Sequence, residues 1–228
     1  MFDAHRDEVA KRFSEVRVLL DHVRALEAPP PSVDPPEVRV LRGLFYVHLY
    51  AAVEYTLTGC VERSLSGIQQ LSVKTSHFEP CFHAVALDAD LKSLSDAGEK
   101  GKWKKRLDLW RKSSDENDCA AVDTTIFGPY LQNVSSQRID TISNCLNIST
   151  PMFVHSSHRT YFDELVERRN GVAHGRFSAL GLGSARRSPD LMLRFNAISE
   201  SCLHMIDVFE ETLQSRTTIR ENFRSLYP

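Results

Sequence analysis

The chain is predicted to be all-α, on three observations. Apolar residues recur at spacings of three and four over long segments, no stretch of any length alternates as a strand does, and no internal repeat is present. With 228 residues, 42% of them apolar and 25% charged, the composition is that of an ordinary soluble globule with a core large enough to need no staples. Lys and Arg number 28 against 30 Asp and Glu, a net charge of −2, so no global basic field gathers nucleic acid, although a local basic patch remains open.

The elements follow in order. Residues 1–28 are expected to form a helix, because Val9, Phe13, Val16, Leu20 and Val23 line one face. Residues 29–36, Pro-Pro-Pro-Ser-Val-Asp-Pro-Pro, end it as a stiff linker, since proline lacks the N–H and restricts the residue before it. A central helix over 37–65 carries two apolar rows, Leu41-Phe45-Leu49-Ala52 and Val40-Leu44-Val47-Ala51. Its broad apolar circumference predicts deep burial. Glu54 extends the second row and therefore needs a cation, hydrogen-bond donors or a proton. Residues 66–150 read as a variable insert with helical fragments at Leu71–Leu94, Trp103–Lys112 and Ser135–Ile148. A helix is expected over 157–175, followed by a Gly/Ser/Arg loop from Phe177 to Arg187. A long C-terminal helix over 188–224 then opens on Ser188-Pro189-Asp190, a hydroxyl cap with proline and carboxylate in the first turn. All of this makes a single domain.

The polar, acidic start Met1–Glu8 is unlike a secretory signal, and the longest apolar run, Leu44–Val53, is too short to cross a bilayer. Five scattered cysteines without a C-x-x-C suggest reduced thiols. The expectation is a cytoplasmic protein with no membrane partner.

Chemistry concentrates in Phe162-Asp-Glu-Leu-Val-Glu-Arg-Arg-Asn-Gly-Val-Ala-His-Gly175. On an ideal helix Phe162, Leu165, Val166, Val172 and Ala173 span a wedge of roughly 120°, with Arg169 near its middle. Asn170 and His174, four apart, stack on its border. A guanidinium inside an apolar stripe requires a buried partner or an anionic ligand. Gly171 within the helix points to a close approach by another backbone or a ligand, since it costs about 1 kcal/mol against alanine. The plain structural alternative is that Arg169 pairs with Glu54 to lock two helices, leaving His174 as an ordinary histidine near a helix C-terminus, where the macrodipole favours its cation.

Arg169-Asn170-Gly171-Val172-Ala173-His174 resembles the R-x4–6-H signature of the HEPN superfamily, including the polar residue after the arginine. The wider order resembles the stand-alone prokaryotic HEPN proteins of RiboL-PSP-HEPN type. A long apolar helix bears Leu41-Arg-Gly-Leu-Phe and Ala51-Ala-Val-Glu54, an insert contains Trp103, and a final long helix closes the chain. The resemblance implies a HEPN-like helical bundle with an inserted helical and loop region, working as a homodimeric, metal-independent and cofactor-free endoribonuclease. Toxin–antitoxin or phage-defence loci would be its setting. On that reading His174 moves the proton of the ribose 2′-OH or of the 5′-oxygen, Arg169 stabilises phosphate charge, Asn170 orients the imidazole or the phosphate, and Glu54 supports Arg169. The products would be a 2′,3′-cyclic phosphate and a 5′-hydroxyl, and the partners RNA, a second copy and an antitoxin protein. The alternative is a catalytically silent dimeric scaffold that binds RNA, nucleotide or a partner protein.

Lys100–Lys112 holds seven basic residues and one acidic, with Trp103 and Trp110 interleaved. Lys102, Lys104, Lys105 and Arg106 are candidate RNA-binding residues, in the manner of a segment that grips phosphates and stacks bases. Against this stands an ordinary helix whose tryptophans, seven apart, pack inward beneath a solvated basic face. Arg186 and Arg187 are also within a phosphate's reach, or else a flexible surface pair. His155-Ser-Ser-His158 and His77-x3-Cys81-x-His83 have ligand-like spacings, but neither completes a four-ligand set, so no metal is expected.

Overall fold

A computed structural model describes residues 1–227 and bears out the all-α class. Ten α-helices follow in order among the described residues: α1 (Asp3–Leu26), α2 (Pro36–Gln70), α3 (His83–Ala86), α4 (Asp88–Ser95), α5 (Glu99–Ser113), α6 (Gly128–Leu131), α7 (Ser136–Cys145), α8 (Ser156–Ala173), α9 (Ala179–Ser184) and α10 (Ser188–Gln214). Among the described residues there is no strand, only two isolated bridges, and no cysteine is in a disulfide. No helix is long and apolar enough to cross a membrane.

The chain divides into two compact units. One comprises Met1–Cys60, Tyr130–Ile139 and Met152–Ile206; the other Val61–Pro129, Asp140–Pro151 and the chain from Asp207 onward.

In the first unit, the predicted stripe of α1 is buried throughout, and Phe13 meets Phe195 of α10 edge-on at 6.1 Å. Helix α2 differs from expectation. Phe45, Leu49 and Ala52 are buried, joined by Tyr46, Tyr50, Val53 and Leu57, whereas Leu44 is 41% exposed and Ala51 lies at the surface. The second apolar row therefore borders solvent, and Glu54 shares its half-exposed position. A short helix, α9, replaces the expected loop over 177–187. It packs backbone to backbone on α2, because a Cβ on Gly43 would collide with the Ala179 carbonyl and one on Gly183 with that of Arg39.

The proline linker is locked by charge. Arg42, 1% exposed, pairs with Asp34 and with Glu27 at 3.0 Å, and donates to the carbonyls of Gly183 and Arg186. Arg187 reaches Asp34 at 3.0 Å and also donates to the carbonyl of Ala28. Ser188 does not cap α10 in the predicted way. Its amide and hydroxyl both donate to Glu27 at 2.8 Å, so the carboxylate satisfies the helix start.

In the second unit, Phe78 and Phe82 pack at 4.5 Å. The His77 ring stacks on Phe223 at 3.8 Å. Helix α5 buries none of its residues, and an open apolar cavity of about 350 Å³ is lined by Leu87, Leu91, Leu109 and Trp110 among others. Helix α10 stops at Gln214, short of the predicted 224. Its apolar period ends at Leu213, and Arg216 turns the chain with φ 52°. A 3-10 segment, Glu221–Leu226, follows.

Candidate active site on helix α8

Helix α8 turns Phe162, Leu165 and Val166 inward as predicted, but the predicted wedge does not stay buried to its end, where Val172 is half-buried and Ala173 exposed. Its last turn holds the signature. The Arg169 guanidinium lies over the Tyr50 ring at 4.2 Å, donates to Asn170 Oδ1 at 2.8 Å, and faces Glu54 at 3.7 Å. Asn170 in turn donates through Nδ2 to Asn133 Oδ1 at 2.9 Å. Tyr50 is fixed from both sides, donating to the Gln132 carbonyl at 3.1 Å and accepting from the Val134 amide at 2.9 Å. The loop before α7 is thereby tied to the arginine's platform. Asp163 ties the start of α7 to α8 by accepting from the amide and hydroxyl of Ser136 at 2.9 and 2.8 Å.

Arg169 is not sealed in a core. Its side chain is 23% exposed and that of Glu54 34%, so the guanidinium keeps an open edge toward solvent. Burial raises the Glu54 carboxyl above its ordinary range, and the Arg169 charge only partly opposes this. Burial likewise raises the Tyr50 phenol, with the Val134 amide opposing and the Glu54 charge adding to the rise. Tyr50 therefore presents a neutral ring to the guanidinium.

His174 caps the C-terminus of α8, its amide donating to the Asn170 carbonyl at 3.0 Å. The ring is exposed and has no hydrogen-bond partner among the described residues. Gly175 follows with φ +69°, the left-handed conformation that glycine adopts at a helix end without Cβ strain. The turn carries Phe177 back over the helix, its amide donating to the Gly171 carbonyl at 2.9 Å. Gly171 thus faces a side chain rather than the expected backbone or ligand. A Cβ there would collide with the Phe177 ring.

The structure brings together Arg169, Asn170 and Glu54, with His174 one turn further on. Tyr50 and Asn133 were missed. Tyr50 stands four residues before Glu54 on α2, a same-face spacing that could have flagged it; Asn133 sits in a polar loop that gave no signal. The other basic candidates lie elsewhere. Lys102 faces Glu99 at 3.4 Å, Lys105 donates to Ser93 at 2.8 and 2.7 Å, Arg106 lies 4.7 Å from the Trp103 ring, and Lys104 is exposed. The tryptophans do not pack inward: Trp103 is 73% exposed and Trp110 71%. Arg186 and Arg187 are no flexible pair. Arg186 pairs with Glu164 at 3.0 Å and Arg187 is held in the Glu27–Asp34 network, so both guanidinium groups already have carboxylate partners. The His77, Cys81 and His83 spacing does not assemble a metal set either. The Tyr227 hydroxyl takes His77 Nδ1 at 2.7 Å, and His83 Nε2 bonds the Thr75 carbonyl at 3.0 Å.

An all-α domain whose signature helix ends in an arginine–polar–x3–histidine turn defines a HEPN-type protein. The family model of RiboL-PSP-HEPN matches residues 7–211, and the chain belongs to that family. No curated protein and no solved structure matches it.

Proposed function

We propose that this chain is a metal-independent endoribonuclease, active as a homodimer in the cytoplasm. Membership of the HEPN class makes RNA cleavage a reasonable activity. One observation carries the specific reading: a solvent-facing imidazole follows, by one turn, a guanidinium that is oriented by Asn170, Glu54 and Tyr50 yet left open on one side. A purely structural arginine would gain from closure of that edge; a phosphate binder needs it open.

In the proposed reaction one His174 accepts the 2′-OH proton as the 2′-oxygen attacks phosphorus. The P–O5′ bond breaks, and His174 of the second copy donates a proton to the departing 5′-oxygen. A 2′,3′-cyclic phosphate and a 5′-hydroxyl result. Imidazole suits both roles near neutral pH. Arg169 places paired N–H donors against the charge that builds on the phosphoryl oxygens. Asn170 and Glu54 hold the guanidinium in place, and α5 with Lys102, Lys104, Lys105, Arg106 and its exposed tryptophans grips the RNA strand. Toxin–antitoxin or phage defence is the proposed setting, with an antitoxin protein as a further partner.

The test is total RNA incubated with the purified chain in excess EDTA. Cleavage yielding 5′-hydroxyl ends is expected, with a loss of about 10²–10⁴-fold in His174→Ala. RNA left intact across pH and salt would instead favour a catalytically silent scaffold, the reading that the engagement of Arg169 by Glu54 supports.

A further inference from the structure

The sequence offers His155-x2-His158 without further ligands nearby, and helix α10 supplies the missing one. Donor atoms of His155, His158 and Glu200 all lie within 4.8 Å of one another. His155 precedes α8 and His158 stands in its first turn, so a ligand bound there joins the start of α8 to α10. Both helical stretches lie in the same compact unit.

We propose that His155, His158 and Glu200 form a binding site for a divalent transition-metal ion of the zinc type, distinct from the Arg169–His174 site. Two imidazoles and one carboxylate are a donor set that such ions favour, with a fourth position left to water. The geometry supports it in three ways. His158 is a buried polar residue, 7% exposed, and the Ser201 hydroxyl fixes one of its ring nitrogens at 2.8 Å. A ring held by such an outer hydrogen bond is oriented before an ion arrives, as ligating histidines commonly are. The two exposed members, His155 and Glu200, are free to close the remaining gap. Donors around a tetrahedral ion at zinc distances stand about 3.4 Å apart, a contraction that rotation of surface side chains accommodates. Finally, the rings of His155 and His158 are already paired edge-to-face at 5.0 Å.

The site is remote from the proposed chemistry. His158 and His174 are sixteen residues apart, about 24 Å along a helix. Its role is therefore to pin α8 at the end opposite the signature.

The experiment is calorimetric titration of the untagged, chelator-washed chain with zinc chloride, repeated with cobalt(II) and read by its visible absorption. One ion per chain is expected, with zinc raising the melting temperature. His155→Ala and Glu200→Gln change only surface positions and keep the fold. Each is expected to weaken binding about tenfold or more and to remove the thermal shift, whereas the exposed control His22→Ala retains both. Ser201→Ala is expected to weaken binding about tenfold through the loosened His158 ring. Absence of zinc uptake by the native chain, or equal affinity in His155→Ala, Glu200→Gln and the native chain, overturns the proposal. Cleavage of RNA in EDTA proceeds with this ion stripped, so failure of either proposal leaves the other standing.

Discussion

At the residue scale, Arg169 is positioned by three neighbours of different chemistry, an amide oxygen, a carboxylate and a phenol ring, with a second amide behind Asn170. The ion pair to Glu54 is long and partly exposed, so its contribution to stability is small. Glu54→Gln is therefore expected to change unfolding free energy by no more than about 1 kcal/mol in urea titrations. The same change should slow RNA cleavage while leaving the products unaltered, which separates a positioning role from a structural one. Glu54 and Asn170 could be picked from the sequence by periodicity and by the signature. Tyr50 shares a face with Glu54 through its spacing of four, but that spacing alone does not rank it above the other aromatics of α2.

The turn from Gly171 to Phe177 works only because no Cβ stands between helix and ring. Gly171→Ala is expected to cost about 1–3 kcal/mol through overpacking, and most of that penalty should disappear in a Phe177→Ala background when the four proteins are compared as a cycle. Helix α5 poses the opposite case. Its two tryptophans are the only ones in the chain and both face solvent, so selectively excited tryptophan fluorescence reports on this helix alone. Single-stranded RNA added to His174→Ala protein is expected to quench that emission, more weakly as salt rises. Trp103→Ala and Trp110→Ala should each cost about 1–3 kcal/mol of RNA affinity while shifting stability by less than about 0.5 kcal/mol. Unchanged affinity in both variants would exclude stacking on α5.

Across the whole molecule, the network around Arg42 unites the end of α1, the linker, α2 and the approach to α10. Burial alone would raise the Asp34 carboxyl, but the hydrogen bond from Arg42, the Ala28 amide and the charges of Arg42 and Arg187 together hold it below its ordinary value of 3.8. A depressed folded-state value means that the unfolded chain takes up the proton first. The stabilisation is thus complete above the ordinary value and is lost as pH falls through the lower, folded one. Urea midpoints should decline below about pH 4. Asp34→Asn should cost about 1–3 kcal/mol at neutral pH, since the buried Arg42 guanidinium loses one of its two carboxylates but keeps Glu27, and should flatten that acid limb. The proposed site needs the signature turns of two copies. Light scattering is expected to give twice the chain mass, and a strictly monomeric chain that cleaves RNA would sink the two-histidine scheme.

Local pattern determined the helical class, the buried stripe of α1 and the arginine–asparagine–histidine turn, since each depends on neighbours within two turns of one helix. Tertiary structure alone decided the rest. Only coordinates show that the second row of α2 borders solvent, that both tryptophans point outward, that Arg186 and Arg187 already have carboxylate partners, and that Glu200 stands beside two histidines more than forty residues away in sequence. The reason is physical. Spacing fixes which side chains share a face, but whether that face meets water, a charge or another helix is set by segments far along the chain.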